Sequence, residues 1–340
     1  MRKAVKVGAV ALVVSLGLLL AVKWNADRRY FDGYDATIPL RETVSEVEER
    51  EGYQRVKLYF ESIPGEQIPT LLTLPKAFEG KVPCVIFLHG IGQKKEFLDE
   101  ITTPFNEHGF AMATFDQYTR GERKVEEGPV AGVVAFRQRA GKTINESRRL
   151  MDYLSTRPDI DPQRLYLVGA SYGAITGSTV AAFDKRVKAT VLVYGGGDFD
   201  KLLSAPMIRE ELGVWLTLVK PLTAFMMQPA DPIHYVHRIA PRPVLFQNGR
   251  RDRLVAPEAS EALFAAAREP KAIKWYESDH LGSVKEEEHV IREVLDDALL
   301  WLLEQDKPYR SSEDKATETP AQQASAASRN GLFVAAAAKN

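Results

Sequence analysis

Three polar residues lie in the order and in the local contexts that nucleophilic catalysis by a serine requires. Ser171 is the central residue of a Gly-x-Ser-x-Gly pentapeptide at residues 169–173. An apolar, strand-like run precedes the pentapeptide and a run of small residues follows it, which is the strand–turn–helix context of a nucleophile elbow. That context demands the order serine, acid, histidine along the chain, and Asp252 and His280 satisfy it. We therefore predict a catalytic triad of Ser171, Asp252 and His280.

The two glycines of the pentapeptide have a physical reason. The turn is so tight that Ser171 must adopt strained backbone dihedral angles, and side chains at Gly169 and Gly173 would strike neighbouring strands. The turn thereby exposes the serine hydroxyl. A histidine can then remove its proton, and an acid fixes the tautomer of that histidine.

The local contexts of Asp252 and His280 support their pairing with the serine. Each residue follows an apolar, strand-like run, at residues 244–247 and 272–277 respectively, and open α/β sheets keep their sites at the carboxyl ends of strands. Asp279 is a rival acid. Because it is adjacent to His280, it is poorly placed to reach the far side of the ring, and we interpret it as a turn residue.

A second loop is predicted to hold the negative charge of a tetrahedral intermediate. His89 ends the apolar run at residues 84–88 and is followed by Gly-Ile-Gly. We expect the amide of Ile91 or Gly92 to act together with the amide of Tyr172 as an oxyanion hole. The remaining histidines have no comparable context, so the sequence indicates neither a metal site nor a cofactor.

The positioning elements alternate between strands and helices. A hairpin is predicted at residues 55–60 and 68–74, and helices are predicted around residues 144–154 and 290–302. Six further strand-like runs lie at residues 84–88, 110–115, 165–168, 187–194, 244–247 and 273–276. This alternation predicts an α/β domain over residues 51–305, with a mostly parallel central sheet and helices on both faces.

One insertion interrupts the alternation. Residues 199–230 lie between two predicted strands and are rich in large apolar side chains, so we predict a small helical cap there. Four of its side chains are candidates for an acyl-binding pocket, since ligand recesses are usually apolar: Trp215, Leu218, Phe225 and Met226. The alternative is that they pack only the core of the cap.

The two ends of the chain are predicted to lie outside the catalytic domain. Basic residues precede an uncharged apolar run at residues 7–22, and Lys23 and Trp24 suit a membrane interface. We predict a single-pass anchor at residues 1–24 with the catalytic domain outside the cytoplasm, and the alternative is a cleaved signal peptide with a secreted domain. Residues 25–50 are expected to form a linker, and residues 306–340 a disordered tail.

Composition excludes some partners. With 45 Lys and Arg against 46 Asp and Glu, the net charge of −1 does not fit a nucleic-acid binder. The single cysteine allows no intrachain disulfide. The predicted triad and the apolar N-terminal run instead indicate a small-molecule ester as the substrate and a membrane as the partner of the N-terminal segment.

The motifs together resemble the α/β-hydrolase superfamily, and within it the dienelactone-hydrolase-like bacterial serine esterases. The resemblance covers roughly residues 50–305 and implies that Ser171 is the nucleophile, His280 the base and Asp252 its orienting acid. Dienelactone hydrolase itself has a cysteine at the elbow, so its own substrate is not expected here.

The expected activity is hydrolysis of carboxylic esters, or related acyl bonds, through an acyl-enzyme. Three alternatives stay open. A serine peptidase would use the same triad but would need a gating domain or an amine-binding carboxylate cluster, and an acyltransferase would replace water by another alcohol. A non-catalytic membrane-anchored scaffold on the same fold would give no reason for the triad order.

Overall fold

The computed structural model describes the backbone of residues 2–78, 80–124 and 129–310. It describes the side chains of residues 13–78, 80–124 and 135–310. The described strands form one sheet in the order β1-β2-β3-β5-β4-β6-β7-β8-β9. Their bounds are β1 Thr43–Glu49, β2 Tyr53–Ile63, β3 Glu66–Pro75, β4 Val82–Leu88, β5 Ala111–Phe115, β6 Ile160–Ala170, β7 Val187–Val193, β8 Val244–Gly249 and β9 Lys271–Tyr276.

The sheet has an antiparallel part and a parallel part. Strands β1, β2 and β3 are successively antiparallel, and β3 also pairs antiparallel with β5. Strands β5, β4, β6, β7, β8 and β9 are parallel to one another. The carboxyl ends of β6, β8 and β9 therefore point to the same edge of the sheet, which brings together residues far apart in sequence.

Helices cover both faces of the sheet. Their bounds are α1 Arg2–Arg28, α2 Leu98–Glu107, α3 Pro129–Thr156, α4 Tyr172–Phe183, α5 Phe199–Leu202, α6 Pro206–Leu212, α7 Leu216–Met227, α8 Pro257–Ala266 and α9 Glu288–Asp306. The two largest clusters of buried side chains among the described residues lie one on each face. Side chains of α3, α4 and α8 pack in one core, and side chains of α2 and α9 pack in the other.

Strand β4 shows why the interior strands are apolar throughout. All seven of its residues are buried. Cys84, Ile86 and Leu88 belong to the α3–α4 core, whereas Val85 and Phe87 belong to the α2–α9 core, as the alternation of side chains along a strand requires. The predicted fold class, a mostly parallel sheet with helices on both faces and a helical cap insertion, is confirmed. The cap consists of α5, α6 and α7, between β7 and β8.

The segment predicted as a linker, residues 25–50, packs on the domain instead. Phe31 makes ring contacts with Phe183 and Tyr235 at 4.8 and 5.4 Å, Leu40 packs against the core, and β1 pairs with β2. The sequence does not predict this packing, because β1 is an edge strand with nearly every residue exposed. It carries no apolar alternation, and charged residues are typical of such edges.

The two predicted terminal segments are only partly described. Of the segment predicted as an anchor, residues 2–24 fall within α1, and the side chains of residues 1–12 lie outside the described residues. Where side chains are described, a bilayer-crossing helix is not found. At the other end, Asp306 is buried and pairs with Arg164 of β6 at 2.7 Å, so α9 belongs to the domain up to its last residue. The predicted tail beyond residue 310 lies outside the described residues.

Candidate active site

Ser171 occupies a strained turn between β6 and α4. Its backbone dihedral angles are φ 55° and ψ −118°, in a region that residues other than glycine rarely adopt. The Ser171 amide donates a hydrogen bond of 2.8 Å to the carbonyl of Val193 on the adjacent strand β7. Strand β7 thus holds the strained backbone conformation of Ser171 in place, as is typical of strained residues at functional sites.

The glycines on either side of Ser171 permit close backbone crossings. A Cβ atom at Gly173 would lie 1.8 Å from the carbonyl oxygen of Leu88, at the end of β4. A Cβ atom at Gly169 would lie 2.2 Å from the carbonyl oxygen of Gly173. Both distances are far below van der Waals contact, so a larger residue at either position would force β4, β6 and α4 apart.

Ser171, His280 and Asp252 form a continuous chain of hydrogen bonds. The Ser171 Oγ lies 2.9 Å from His280 Nε2, and His280 Nδ1 lies 2.7 Å from Asp252 Oδ2. In the arrangement that suits both contacts, the serine hydroxyl donates to Nε2 and the Nδ1–H donates to the carboxylate. Asp252 and His280 are 3% and 7% exposed, so water hardly competes for these bonds.

The orientation of Asp252 is fixed by its own loop. Its Oδ1 accepts hydrogen bonds from the amides of Leu254 and Val255 at 2.9 and 2.8 Å. These two bonds leave the other carboxylate oxygen, Oδ2, directed at the His280 ring. The carboxylate is therefore positioned before any substrate binds.

Asp279, the rival acid, serves the backbone instead of the ring. Its Oδ1 accepts from the amide of His280 at 2.7 Å and from the amide of Arg253 at 2.8 Å. The carbonyl of Ser278 also accepts a bond from the Arg251 amide at 3.0 Å. These contacts connect the loop that follows β8 to the loop that follows β9, and they hold the acid and the histidine in register.

Tyr194, which the sequence reasoning did not single out, packs against the histidine. Its ring meets the His280 ring edge-on, with centroids 5.9 Å apart. Its hydroxyl is hydrogen bonded to the Ser278 Oγ, and burial raises the pKa of the Tyr194 hydroxyl to about 12, so it stays neutral. No local sequence signal marks this residue, because its partners lie in a distant loop.

The loop after β4 lies beside the serine, as the predicted oxyanion hole requires. A Cβ atom at Gly90 would lie 3.6 Å from the Ser171 Cβ. The Gln93 amide donates to the Gly90 carbonyl at 3.2 Å, which makes Ile91 and Gly92 the central residues of a turn. That hydrogen bond does not use the amides of Ile91 and Gly92. Tyr172 contributes the first amide of α4, where helix dipoles favour negative charge.

Side chains around this loop keep its shape. His89 is 1% exposed, and its Nδ1 donates to the Gly90 carbonyl at 2.9 Å. Gln117 donates to the His89 carbonyl at 2.9 Å, and the Gln93 side chain accepts from the Gly90 amide. Burial lowers the pKa of His89, so its ring stays neutral and supports the loop.

The predicted acyl-pocket residues do not line an enclosed recess. Trp215, Leu218 and Phe225 are 66%, 67% and 44% exposed, and Met226 is partly exposed. The neighbouring Met227 is buried and packs with Phe136. The apolar composition of the cap predicted these residues, but only the rotation of α7 decides which side chains turn inward.

A profile for the protein family described as the dienelactone hydrolase family matches residues 68–294, more than half of the chain and all three residues of the predicted triad. The chain belongs to the dienelactone hydrolase family. The family resemblance predicted from the motifs is thereby confirmed.

Individual relatives of this dienelactone hydrolase family member agree with the assignment. Over 66% of its length the chain is 27% identical to a Bacillus subtilis (strain 168) protein named "Putative hydrolase YtaP", of which it covers 79%. Its structure is similar to acetyl xylan esterase 1 from Thermoanaerobacterium sp. JW/SL YS485, with a TM-score of 0.64 and 19% identity over 81% of this chain and 93% of the other. Its structure is also similar to an acetyl xylan esterase from Paenibacillus sp. R4, with a TM-score of 0.63 and 18% identity over 80% of this chain and 92% of the other. These structures share the fold, and the family makes the chain a hydrolase of the dienelactone hydrolase type.

Proposed function

We propose that this protein hydrolyses carboxylic esters through a covalent acyl-enzyme on Ser171. The observation that carries the proposal is the chain of hydrogen bonds from Ser171 to His280 to Asp252, at 2.9 and 2.7 Å, which starts from a strained elbow. A structural role for Ser171 would not require a φ of 55°, since an ordinary turn residue avoids that cost.

In the proposed first step, the Ser171 Oγ attacks the ester carbonyl while His280 Nε2 accepts the hydroxyl proton. Asp252 holds the Nδ1–H and stabilises the resulting imidazolium. The tetrahedral intermediate collapses when His280 returns the proton to the leaving alcohol, which leaves the acyl group on Ser171. A water molecule then attacks the acyl-enzyme, with His280 again as base, and releases the acid and the free serine.

The proposed oxyanion hole consists of the Tyr172 amide and the amide of Ile91 or Gly92. Its support is the position of the loop after β4, which passes beside Ser171 at Gly90. Tyr172 is also the first residue of a 12-residue helix, so the helix dipole adds to the attraction for the oxyanion.

An ester as the substrate is supported by the relatives as well as by the site. The named activity of the two structural neighbours is acetyl xylan esterase, and the Bacillus relative is named a hydrolase. Short acyl esters are therefore the first substrates to test. Esters are also cleaved more readily than amides by the same nucleophile, because an alcohol is a better leaving group than an amine.

The test is turnover of p-nitrophenyl esters, from acetate to laurate, by the full chain and by Ser171→Ala. The matched control is Ser283→Ala, which removes an exposed serine hydroxyl from the histidine loop. We expect turnover by wild type and by the control, and loss of turnover in Ser171→Ala. Labelling of Ser171 by a fluorophosphonate, read by mass spectrometry, is the second readout. A variant without Ser171 that still turns over these esters would refute the mechanism.

We also propose that the N-terminal segment attaches the protein to a membrane, with the catalytic domain on the outer side. The support is the exposed apolar side chains of α1, among them Val13, Leu19 and Val22, and the basic residues that precede them in sequence. Fractionation of cells that express the full chain, followed by protease treatment of intact spheroplasts, tests both parts. Recovery in the soluble fraction, or protection from protease, would contradict them.

A further inference from the structure

The cap turns an apolar surface away from the domain. Six side chains between 41% and 77% exposed form this apolar cap surface: Val214, Trp215, Leu218, Val219, Leu222 and Phe225. A soluble protein rarely leaves so many large apolar side chains exposed on one short helix and the turn before it. The apolar cap surface therefore needs a covering partner.

The N-terminal helix carries a second exposed apolar surface. All residues from 13 to 22 of α1 are exposed, and apolar side chains occupy positions around the whole helix, including Val14, Leu18 and Leu20. A protein partner covers one face of a helix, whereas lipid surrounds it. The apolar character on every face thus favours lipid over a protein as the occupant.

Polar contacts hold the end of α1 against the cap. The Lys23 ammonium lies 4.0 Å from the centroid of the Phe225 ring. Arg137 pairs with Asp27 of α1 at 2.6 Å and also donates to the carbonyl of Met226 at the end of α7. Because α1 and α7 are joined in this way, a surface that binds one of them also meets the other.

Cationic and aromatic groups mark the border of the apolar region. The Arg28 guanidinium lies 4.5 Å from the centroid of the Trp24 ring, and the exposed Arg29 follows in sequence. On the cap, Lys220 lies between the exposed Val219 and Leu222 and pairs with Asp200 at 2.9 Å. Tryptophan beside arginine or lysine suits the boundary between acyl chains and headgroups, and the cations complement anionic headgroups.

We propose that the apolar cap surface and α1 together seat the catalytic domain on a phospholipid bilayer, so that α7 lies in the interface and the cap faces the lipid. A helix that lies in the interface with its apolar face buried is a known mode of membrane attachment. This mode adds a second lipid contact to the N-terminal segment and fixes the orientation of the domain.

A chain of side-chain contacts leads from the end of the cap to the nucleophile elbow. Met227, at the end of α7, packs with Phe136 in one cluster. The Phe136 ring in turn lies 6.0 Å from the ring of Tyr172, the residue next to Ser171. The consequence for substrate choice rests on the proposed ester hydrolysis: esters dissolved in the bilayer reach Ser171 past the cap, which favours lipid-like acyl esters.

The first experiment measures where the cap lies when the full chain is bound to vesicles of phosphatidylcholine and phosphatidylglycerol. An environment-sensitive fluorophore is attached at Leu222→Cys, and the native Cys84 is buried and does not compete for labelling. The matched control is Gln163→Cys, an exposed position near the start of β6, at the end of the strand opposite to Ser171. Flotation verifies that each labelled protein is bound.

We expect vesicles to raise and blue-shift the emission at residue 222, brominated lipid to quench it, and the emission at residue 163 to stay unchanged. A bound protein whose label at residue 222 remains in water overturns the proposal, and so does a full chain that fails to float with the vesicles. Equal changes at both positions would indicate a non-specific association and would overturn it too.

The second experiment separates the seat from the chemistry. In the double variant Val214→Gln and Leu222→Gln, turnover of an ester dissolved in the vesicles is expected to fall at least about tenfold, since two apolar side chains lose their lipid contact. Turnover of p-nitrophenyl acetate in solution is expected to stay the same. If the variant turns over each ester as fast as wild type does, the proposal is overturned. If wild type turns over neither ester, ester hydrolysis is refuted, while the fluorescence experiment still tests the position of the cap.

Discussion

Replacement of Gly173 by alanine tests whether the backbone crossing beside Ser171 sets the catalytic geometry. The added Cβ would lie 1.8 Å from the carbonyl oxygen of Leu88, 2.4 Å from its carbonyl carbon and 2.9 Å from the carbonyl oxygen of His89. These atoms belong to the backbone at the end of β4, so no side-chain rotation relieves the overlap.

The size of the required movement follows from the contact distance. Ordinary van der Waals contact begins at 3.4 Å, so α4 and β4 must separate by about 1.6 Å to admit the Gly173→Ala side chain. Ser171 immediately precedes α4, and its Oγ lies only 2.9 Å from His280 Nε2. A shift of this size breaks that hydrogen bond. A misplacement of about 1 Å costs roughly 100-fold in rate, and we therefore expect kcat to fall at least about 100-fold.

The assay is steady-state hydrolysis of p-nitrophenyl acetate, normalised to the folded fraction from circular dichroism. Stability should also fall, by about 1–3 kcal/mol, as is typical of overpacking. Gly177→Ala on the same helix is the matched control. Its Cβ would meet Leu167 Cδ2 at 2.8 Å and Leu88 Cδ1 at 3.6 Å, which are ends of flexible side chains, so its kcat should remain close to that of wild type.

Retention of wild-type kcat by folded Gly173→Ala would refute this reasoning, because it would mean that β4 and α4 separate without moving Ser171. An equal loss in Gly177→Ala would refute it as well, since the effect would then belong to the helix in general.

Three further predictions concern the triad and the core. Asp252→Asn should lower kcat by about 10³–10⁴-fold, because the amide no longer holds the required histidine tautomer. The kcat of Asp279→Asn should stay within about tenfold of wild type, since its side-chain oxygen can still accept both amide hydrogen bonds. Equal losses of kcat in the two variants, measured by steady-state kinetics, would contradict the assignment of Asp252 as the acid. Asp306→Asn should lower the free energy of unfolding at pH 7 by roughly 3 kcal/mol. Burial would raise the pKa of Asp306, but the hydrogen bonds and charge of Arg164 outweigh it and lower that pKa. The ionised Asp306 carboxylate therefore contributes to the free energy of unfolding above about pH 4, and this contribution is lost as the pH falls through the pKa of the folded state. The denaturation midpoints of wild type and Asp306→Asn should converge in acid. A difference between the two midpoints that does not change with pH would contradict this. Tyr194→Phe keeps the ring against His280 and should lose only about 1 kcal/mol of stability, whereas Tyr194→Ala should also reduce kcat; equal activity of the two variants would exclude a positioning role for the ring.

Several features of this protein were predictable because their signals are local. A strand, a tight turn and a helix follow one another at Ser171, and the glycines that permit the turn lie within two residues of it. Strand-like apolar runs mark the interior of the sheet because such strands are buried on both faces. The carboxyl ends of β8 and β9 then give the positions of Asp252 and His280.

Other features depend on contacts between distant segments. The exposed strand β1 has no apolar pattern, so its pairing with β2 and the packing of Phe31 and Leu40 are needed to show that residues 25–50 pack on the domain. The support of His280 by Tyr194 arises where β7 and the loop after β9 meet.

The orientation of the cap is the clearest case of what sequence leaves undecided. Composition identified Trp215, Leu218, Phe225 and Met226 as large apolar side chains on a helix, but composition is the same whether a helix turns them inward or outward. The tertiary structure decides this through a few contacts at the ends of α7, where Met227 is buried and Arg137 binds the Met226 carbonyl. Local sequence signals therefore predict the strands, the helices and the polar residues at the carboxyl ends of the strands, whereas the packing of distant segments decides which apolar side chains of the cap face the domain and which stay exposed.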